Sequence, residues 1–237
     1  MKKFFITALS ILLVLLIGTA TYIYILLEQI EGEPLTDYPN PEPEELGISE
    51  SAPKTSETGV TNILLFGLDA RSQKEASRSD TIMIATIDKK NQAIKLTSLM
   101  RDMYIPIPGR DSNRINTAYA FGGPALAIKT VNTTFNLDIR YYATVNFFAL
   151  EKVIDQVGGV SIDVKSKEIK YINQCINELN RLNKKTPSVS LLTNAGRQTL
   201  NGRQAVAYAR IRKVGNSDYE RTQRQRTLLV ELFKKVK

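Results

Sequence analysis

The chain has 237 residues, 43% of them hydrophobic and 24% charged, with 32 Lys and Arg against 24 Asp and Glu for a net charge of +8. That balance excludes a fully disordered, collagen-like or low-complexity chain and allows a domain with a buried core. With no histidine and a single cysteine, Cys175, internal disulfides, His-based triads and His-ligated zinc or haem sites are excluded. Chemistry must then run on carboxylates, Arg, Lys, Tyr or a metal held by oxygen ligands.

Residues 4–27 carry no charge, follow Lys2 and Lys3, and precede Glu28, Glu31 and Glu33. A helix of that length rises about 36 Å, enough to cross a hydrocarbon core of about 30 Å. The rival reading is a cleaved signal peptide, favoured by Gly18, Thr19 and Ala20, but such peptides have an apolar region of only about 7 to 15 residues. An uncleaved single-pass anchor in the cell membrane is therefore expected, with residues 1–27 forming the cytoplasmic tip and anchor and everything beyond Leu27 outside the cell.

Residues 28–59 hold nine acids, one base (Lys54) and five of the nine prolines. The composition predicts an extended extracellular linker. From residue 60 onward 29 basic residues face 15 acidic ones, so the remaining domain, 60–237, carries +14. A domain so basic calls for a polyanionic partner. Nucleic acid is the usual first candidate, but the anchor places the domain where lipid phosphates, teichoic-type polymers and pyrophosphate-linked glycans are the available polyanions, so no nucleic-acid partner is expected.

Short apolar or β-branched runs at 61–68, 81–88 and 93–98 predict three strands, the last two joined by a turn at Lys89-Lys90-Asn91. A helix is predicted at 124–135 behind Gly122-Gly123, a strand at 142–145, a helix at 147–157 closed by Gly158-Gly159, and a strand at 160–164. This order predicts an α/β fold, a three-layer α/β/α domain with a mixed central sheet. Residues 166–185 place Ile172, Cys175, Ile176 and Leu179 at helical spacing, a surface helix with Cys175 as a small buried hydrophobe.

Ligands of open α/β sheets bind beyond strand ends, which draws attention to Asp69 and Arg71 after the first strand, Arg78 and Asp80 before the second, and Arg101 and Asp102 after the third. Asp80 reaches Asp69 only if the first two strands are antiparallel neighbours. Two carboxylates brought together favour a hard cation between them; the alternative is two local salt bridges, Asp69–Arg71 and Asp80–Arg78. A second basic group holds Arg210 and Arg212, then Asp218, Arg221, Arg224, Gln225 and Arg226. Arg221 and Arg224 share a helix face at i, i+3. Converging guanidiniums suit a pyrophosphate, whereas a charge run left on its own is a solvated helix face.

In register, NILLFGLDAR, RSDTIMIATID, SLMRDMYIPIPG, RINTAYAFGG, VNFFALEKVIDQVGGV, LNGRQAVAYARIR and DYERTQRQR resemble the LytR-CpsA-Psr family of bacterial envelope proteins. The resemblance implies a membrane-anchored phosphotransferase that moves a glycopolymer, of the wall teichoic acid or capsular polysaccharide class, from a polyprenyl-pyrophosphate carrier to peptidoglycan. It implies Mg²⁺ or Mn²⁺ on Asp69 and Asp80, and pyrophosphate binding by Arg78, Arg101, Lys129, Arg210, Arg212 and Gln225. Arg221 and Arg224 belong to the same motif. It further implies an apolar tunnel for the lipid, with Phe135, Phe147, Phe148, Leu150 and Val153 as candidate lining, for each of which core packing is the ordinary alternative. Asp102 and Asp69 are the candidate catalytic bases beside Arg101, and Asp102 has the alternative role of orienting Arg101. A polyprenyl-pyrophosphate binding or hydrolysing protein and an envelope-linked transcription attenuator are the rival functions. Family members run some tens of residues beyond the last helix, so a chain ending at Lys237 is either a short member or C-terminally incomplete. The absence of His and the many Lys, Asn and Ile residues point to a low-GC Gram-positive source.

Overall fold

The computed structural model describes residues 42–68, 79–182, 189–215 and 217–236. The expected anchor at 4–27, and Asp69, Arg71 and Arg78, lie outside the described residues. No helix among the described residues is long and apolar enough to cross a membrane.

A single-turn helix α1 (Thr55–Thr58) leads into β1 (Val60–Leu68), β2 (Ser79–Asp88) and β3 (Ala93–Leu99), three antiparallel strands with β1 in the middle of the completed sheet. A short ribbon, β4 (Tyr104–Ile105) and β5 (Asn113–Arg114), precedes α2 (Asn116–Phe135). The next strand, β6 (Tyr141–Asn146), pairs parallel to β1, so the central sheet is mixed, in the order β3-β2-β1-β6. Then come α3 (Phe147–Gln156), β7 (Val160–Val164), α4 (Ser166–Leu182), β8 (Gly196–Leu200), α5 (Gly202–Arg210) and α6 (Ser217–Val236). The mixed sheet agrees with the expected α/β class, with one difference. β7 does not extend the central sheet but pairs antiparallel with β8 in a separate two-stranded sheet. β8, GRQTL, has polar residues at three of its five positions, too little apolar character to stand out from a loop.

α2 begins eight residues before the predicted start. Gly122 and Gly123 interrupt it with non-helical backbone, Gly123 at φ 62°, and Pro124 opens the second part. A first-turn proline has no orphan N–H to lose, so the Gly-Gly-Pro signal marks a kink inside a longer helix. α3 is capped by Asn146, whose side chain accepts from the Ala149 N–H. α5 is capped by a reciprocal pair between Asn201 and Gln204.

Two hydrophobic cores result. One joins the sheet face carrying Leu64, Phe66, Ile82 and Ile84 to Ile128 and Val131 of α2. The other is built by α3, β7, α4, α5 and α6 around Ile154, Ile162, Ile176, Val206 and Leu228.

The acidic stretch departs from the expected extended linker over its second half. Leu46, Ile48 and Ala52 are buried in the first core, against the expectation that a charged, proline-rich segment cannot pack. Apolar side chains at three positions and one polar anchor suffice. The amide of buried Asn132 donates to the Leu46 and Ile139 carbonyls, both at 2.9 Å, and its oxygen accepts from the Ile139 N–H at 3.0 Å. The acids stay outside, since Glu42, Glu44, Glu45 and Glu50 require only solvent.

Asn132→Ala leaves three buried backbone groups without that partner and is expected to lower stability by about 3 kcal/mol, read as a lower urea midpoint at unchanged slope.

Candidate polyanion site at the end of the central sheet

The site is centred on Asp80, and the sheet register explains its position. Gly67 pairs with Thr81 and Leu68 with Ser79, so Asp80 is the unpaired extra residue of a β-bulge, a device that turns a side chain out of the regular alternation. Gly67 permits the close approach, because a Cβ there would lie 2.8 Å from the Thr81 Cβ. β1 and β2 are antiparallel, with Leu68, the residue before Asp69, opposite Ser79. The first two strands are thus antiparallel neighbours, as the sequence reading required, and Asp69 itself lies outside the described residues.

Three guanidiniums converge on the Asp80 carboxylate. Arg101, just beyond β3, donates to Oδ1 at 2.7 Å; Arg212, beyond α5, and Arg221, in the second turn of α6, donate to Oδ2 at 3.1 and 3.2 Å. The Asp80 side chain is 14% exposed and that of Arg221 5%. Burial pushes the Asp80 carboxyl up, but the charges of Arg221, Arg101 and Arg212 outweigh it and hold the group below its ordinary range. Burial and the Arg212 charge press Arg221 below the usual guanidinium value, against the pull of Asp80. Burial acts in the same direction on Arg101, where Asp80 and then Asp102 outweigh it and leave the group raised. Arginine stays charged in either case.

The cleft beside Asp80 is walled by Thr81 and Met83 of β2, Ser98 of β3, Met100 and Arg101, and Asp218, Arg221, Thr222 and Gln225 of α6. Several buried polar atoms in and around it have no hydrogen-bond partner: Arg101 Nε, Arg221 Nε and Asp218 Oδ1, with Ser79 Oγ next to Asp80 in the chain and Asn116 Oδ1 on a residue whose N–H donates to the Arg101 carbonyl. Buried polar groups are normally satisfied. Their concentration here marks a place built for a polar ligand or ordered water.

The other residues expected at the site are distributed differently. Gln225 lines the cleft. Asp102 lies at the rim, 3.4 Å from Arg101 Nε and 3.5 Å from Arg114 Nη1. Arg224 points inward instead, donating to Glu168 at 2.9 Å, Glu220 at 2.8 Å and the Ile211 and Val214 carbonyls. With its donors used inside the protein, Arg224 fastens α6 to α4 and to the segment carrying Arg212. Arg210 is the last residue of α5; its guanidinium lies 4.6 Å over the Phe147 ring and 3.7 Å from Glu178. Lys129 is half-buried on α2 and borders the 42–52 segment, since a Cβ on Gly47 would fall 3.0 Å from its Cγ. Neither Arg210 nor Lys129 borders the Asp80 cleft. Phe147, Leu150 and Val153 pack against the second core, Phe148 is half-buried on α3, and Phe135 sits partly exposed at the end of α2.

The sequence reading missed the second face of the sheet. Leu65 pairs with Met83 and Ile63 with Ala85; Met83 and Ala85 are buried and the β1 residues half-buried. The signal was the unbroken apolar run Ile63-Leu64-Leu65-Phe66, which makes both faces of β1 apolar where a half-solvated strand would alternate. Ser98, Met100 and Thr222 were also missed, being ordinary residues that only the fold brings to the cleft.

Among the described residues no group of three or more His, Cys, Asp or Glu is placed to hold a metal ion. The Asp80 carboxylate and Asp218 border one cleft, where Arg101 occupies Asp80 Oδ1 and Arg212 and Arg221 share Oδ2.

Comparison with known proteins follows the same lines. The LytR_cpsA_psr family model matches residues 29–237. The chain is 36% identical over 180 residues to the regulatory protein MsrR of Staphylococcus aureus, covering 75% of this chain and 50% of MsrR, so it spans about half the length of that relative. It is 34% identical over 236 residues to the polyisoprenyl-teichoic acid–peptidoglycan teichoic acid transferase TagU of Bacillus anthracis, covering 99% of this chain and 71% of TagU. Among solved structures it resembles TagT bound to LI-WTA, with a TM-score of 0.63 and 32% identity over 79% of this chain and 68% of that one. TagT with bound octaprenyl pyrophosphate lipid gives a TM-score of 0.59 and 32% identity over 75% and 65%.

Because the folded carboxyl of Asp80 is depressed, its stabilising effect is present above the ordinary carboxylate range and is lost as pH falls through the lower folded value. Asp80→Asn is expected to unfold at lower urea than the parent at pH 7, with the two midpoints converging below about pH 4.

Proposed function

The chain belongs to the LytR-CpsA-Psr family, and on that premise we propose that it is a membrane-anchored phosphotransferase acting outside the cell. In this reading it moves a phosphorylated glycopolymer, of the wall teichoic acid or capsular class, from a polyprenyl-pyrophosphate carrier to peptidoglycan. The observation that carries the proposal is the convergence of Arg101, Arg212 and Arg221 on one carboxylate within a cleft of unsatisfied buried polar atoms. Three fixed cations with a single anion suit a ligand carrying several negative charges, and planar guanidiniums suit phosphate oxygens.

The residues divide the work by position. Arg101, Arg212 and Arg221 bind the pyrophosphate and stabilise charge that accumulates on the departing polyprenyl phosphate. Gln225 adds a neutral donor on the same wall. An acceptor sugar hydroxyl attacks the sugar-linked phosphorus, the bond to the polyprenyl phosphate oxygen breaks, and the hydroxyl proton passes to a carboxylate, Asp69 or Asp102. Asp80 and Asp69 would hold a divalent cation, Mg²⁺ or Mn²⁺, which when bound offsets phosphate charge. Such a reaction depends mainly on positioning and electrostatics and needs no histidine. The apolar face of Ile63, Leu65, Met83 and Ala85 lies on the strands that lead to Asp80, and suits the polyprenyl chain.

A binding or regulatory role is the second reading, favoured by the similarity to a staphylococcal protein described as regulatory. The two separate on product. The full chain in detergent is incubated with a short polyprenyl-pyrophosphate glycan and peptidoglycan oligomers, with Mg²⁺ or EDTA, and products are identified by mass spectrometry. A phosphodiester adduct that EDTA abolishes is the expected result, and Arg101→Ala is expected to slow its formation at least about 10²-fold with the circular dichroism spectrum unchanged. Substrate returned intact would establish the binding protein, and free phosphorylated glycan would establish hydrolysis.

A further inference from the structure

The phosphate site accounts for Arg101 but not for the ribbon that follows it. Tyr104 on β4 is 72% exposed, the most exposed of the large hydrophobic and aromatic side chains among the described residues. Its backbone is nevertheless firmly held. Ile105, Ile107 and Ile115 around it are buried, and the Ile115 N–H donates to the Met103 carbonyl at 2.8 Å. A rigid support therefore presents a flat ring to solvent, at little further cost in conformational entropy on binding.

The ring has polar company of a definite kind. Tyr104 pairs directly with Arg114 across the ribbon, and Arg114 Nη1 lies 3.5 Å from Asp102, which in turn lies 3.4 Å from Arg101. The chain of charges Asp80, Arg101, Asp102, Arg114 leads outward from the cleft, with side-chain exposures of 14%, 21%, 44% and 48%. Tyr104 follows Arg101 by three residues, so its Cα lies within about 11 Å of that of Arg101. The ribbon is therefore a rim of the phosphate site on its solvent side.

We propose that the β4–β5 ribbon is the acceptor subsite, which binds a pyranose strand of peptidoglycan and brings its hydroxyl to the phosphate site. The proposal rests on the transferase reading above. A pyranose offers an apolar C–H face edged by hydroxyls and amides. Tyr104 supplies the apolar surface for that face, Asp102 accepts from hydroxyls, and the Arg114 fork donates to hydroxyl, amide or carboxylate oxygens. A lipid tail would need a continuous apolar groove, and Asp102 and Arg114 interrupt the surface with charge. A further phosphate would find Asp102 beside it. The donor's own glycan is the remaining candidate for this rim, and the experiment separates it from the acceptor.

The full chain in detergent is titrated calorimetrically with a peptide-free peptidoglycan glycan oligosaccharide and, separately, with a polyprenyl-pyrophosphate glycan. Tyr104→Ala is expected to weaken oligosaccharide binding about tenfold, Tyr104→Phe to preserve it, and Arg114→Gln to weaken it several-fold. Donor affinity stays within about twofold in these variants, and oligosaccharide affinity stays within about twofold in Tyr141→Ala, which alters another exposed tyrosine on the far end of β6. Unchanged oligosaccharide binding in Tyr104→Ala would overturn the proposal. So would an equal loss of donor affinity, which would assign the ribbon to the donor glycan. Turnover distinguishes this failure from that of the transferase reading. A parent acceptor KM in Tyr104→Ala refutes the ribbon alone, whereas Tyr104-dependent oligosaccharide binding by a protein that transfers nothing refutes the transferase and leaves the glycan site standing.

Discussion

Three guanidiniums held within hydrogen-bonding distance of one carboxylate are the interaction on which the rest of the site depends. Like charges so close repel, and at a half-buried position the repulsion is poorly screened. Asp80 offsets only part of it. The arrangement persists because each arginine is fixed by its own element: Arg101 by the end of β3, Arg212 by the exit from α5, and Arg221 by α6. The excess positive charge is thus a property of the scaffold, available to whatever polyanion enters.

That fixation is visible in Arg224. It stands one helical turn beyond Arg221 on α6 and makes the opposite use of the same side chain, binding the buried Glu168 and the half-buried Glu220, and capping the Ile211 and Val214 carbonyls. A buried pair of this kind contributes less net stability than its short distances suggest, but it fixes orientation. The two carbonyls flank Arg212 in the chain, so a single guanidinium orients α6 and the Arg212 segment together. The site therefore rests on an ion cluster that does not itself touch the cleft.

The cleft lies between the central sheet and α6. β2 and the exit from β3 supply Asp80 and Arg101; the segment after α5 supplies Arg212, and α6 supplies Arg221 and Gln225. Met83 of the apolar second face lines the same cleft as these charged groups. A charged opening over an apolar surface matches an amphipathic ligand better than a soluble one, which is the physical basis for connecting this geometry to a lipid pyrophosphate. The folded part of the acidic stretch stands apart from the site, packed on α2 through Leu46 and Asn132.

Much of this could be read from the amino-acid order. Strand periods, the Gly158-Gly159 stop and the clusters of Asp and Arg at strand ends are local patterns, and local patterns survive without coordinates. So do the charge of the domain and the family's motifs. The order of residues could not tell Arg221 from Arg224 or Arg210 from Arg212, because each pair has the same chemistry and closely spaced positions. Their fates were decided by which carboxylate lay opposite: Asp80, 141 residues from Arg221, and Glu168, 56 residues from Arg224. Nor could it show the bulge that frees Asp80, which exists only in the register between two strands, or the pairing of β7 with β8. Charge and periodicity are properties of a segment and belong to the sequence. The partner of each charge is a long-range contact, and only the tertiary structure decides it.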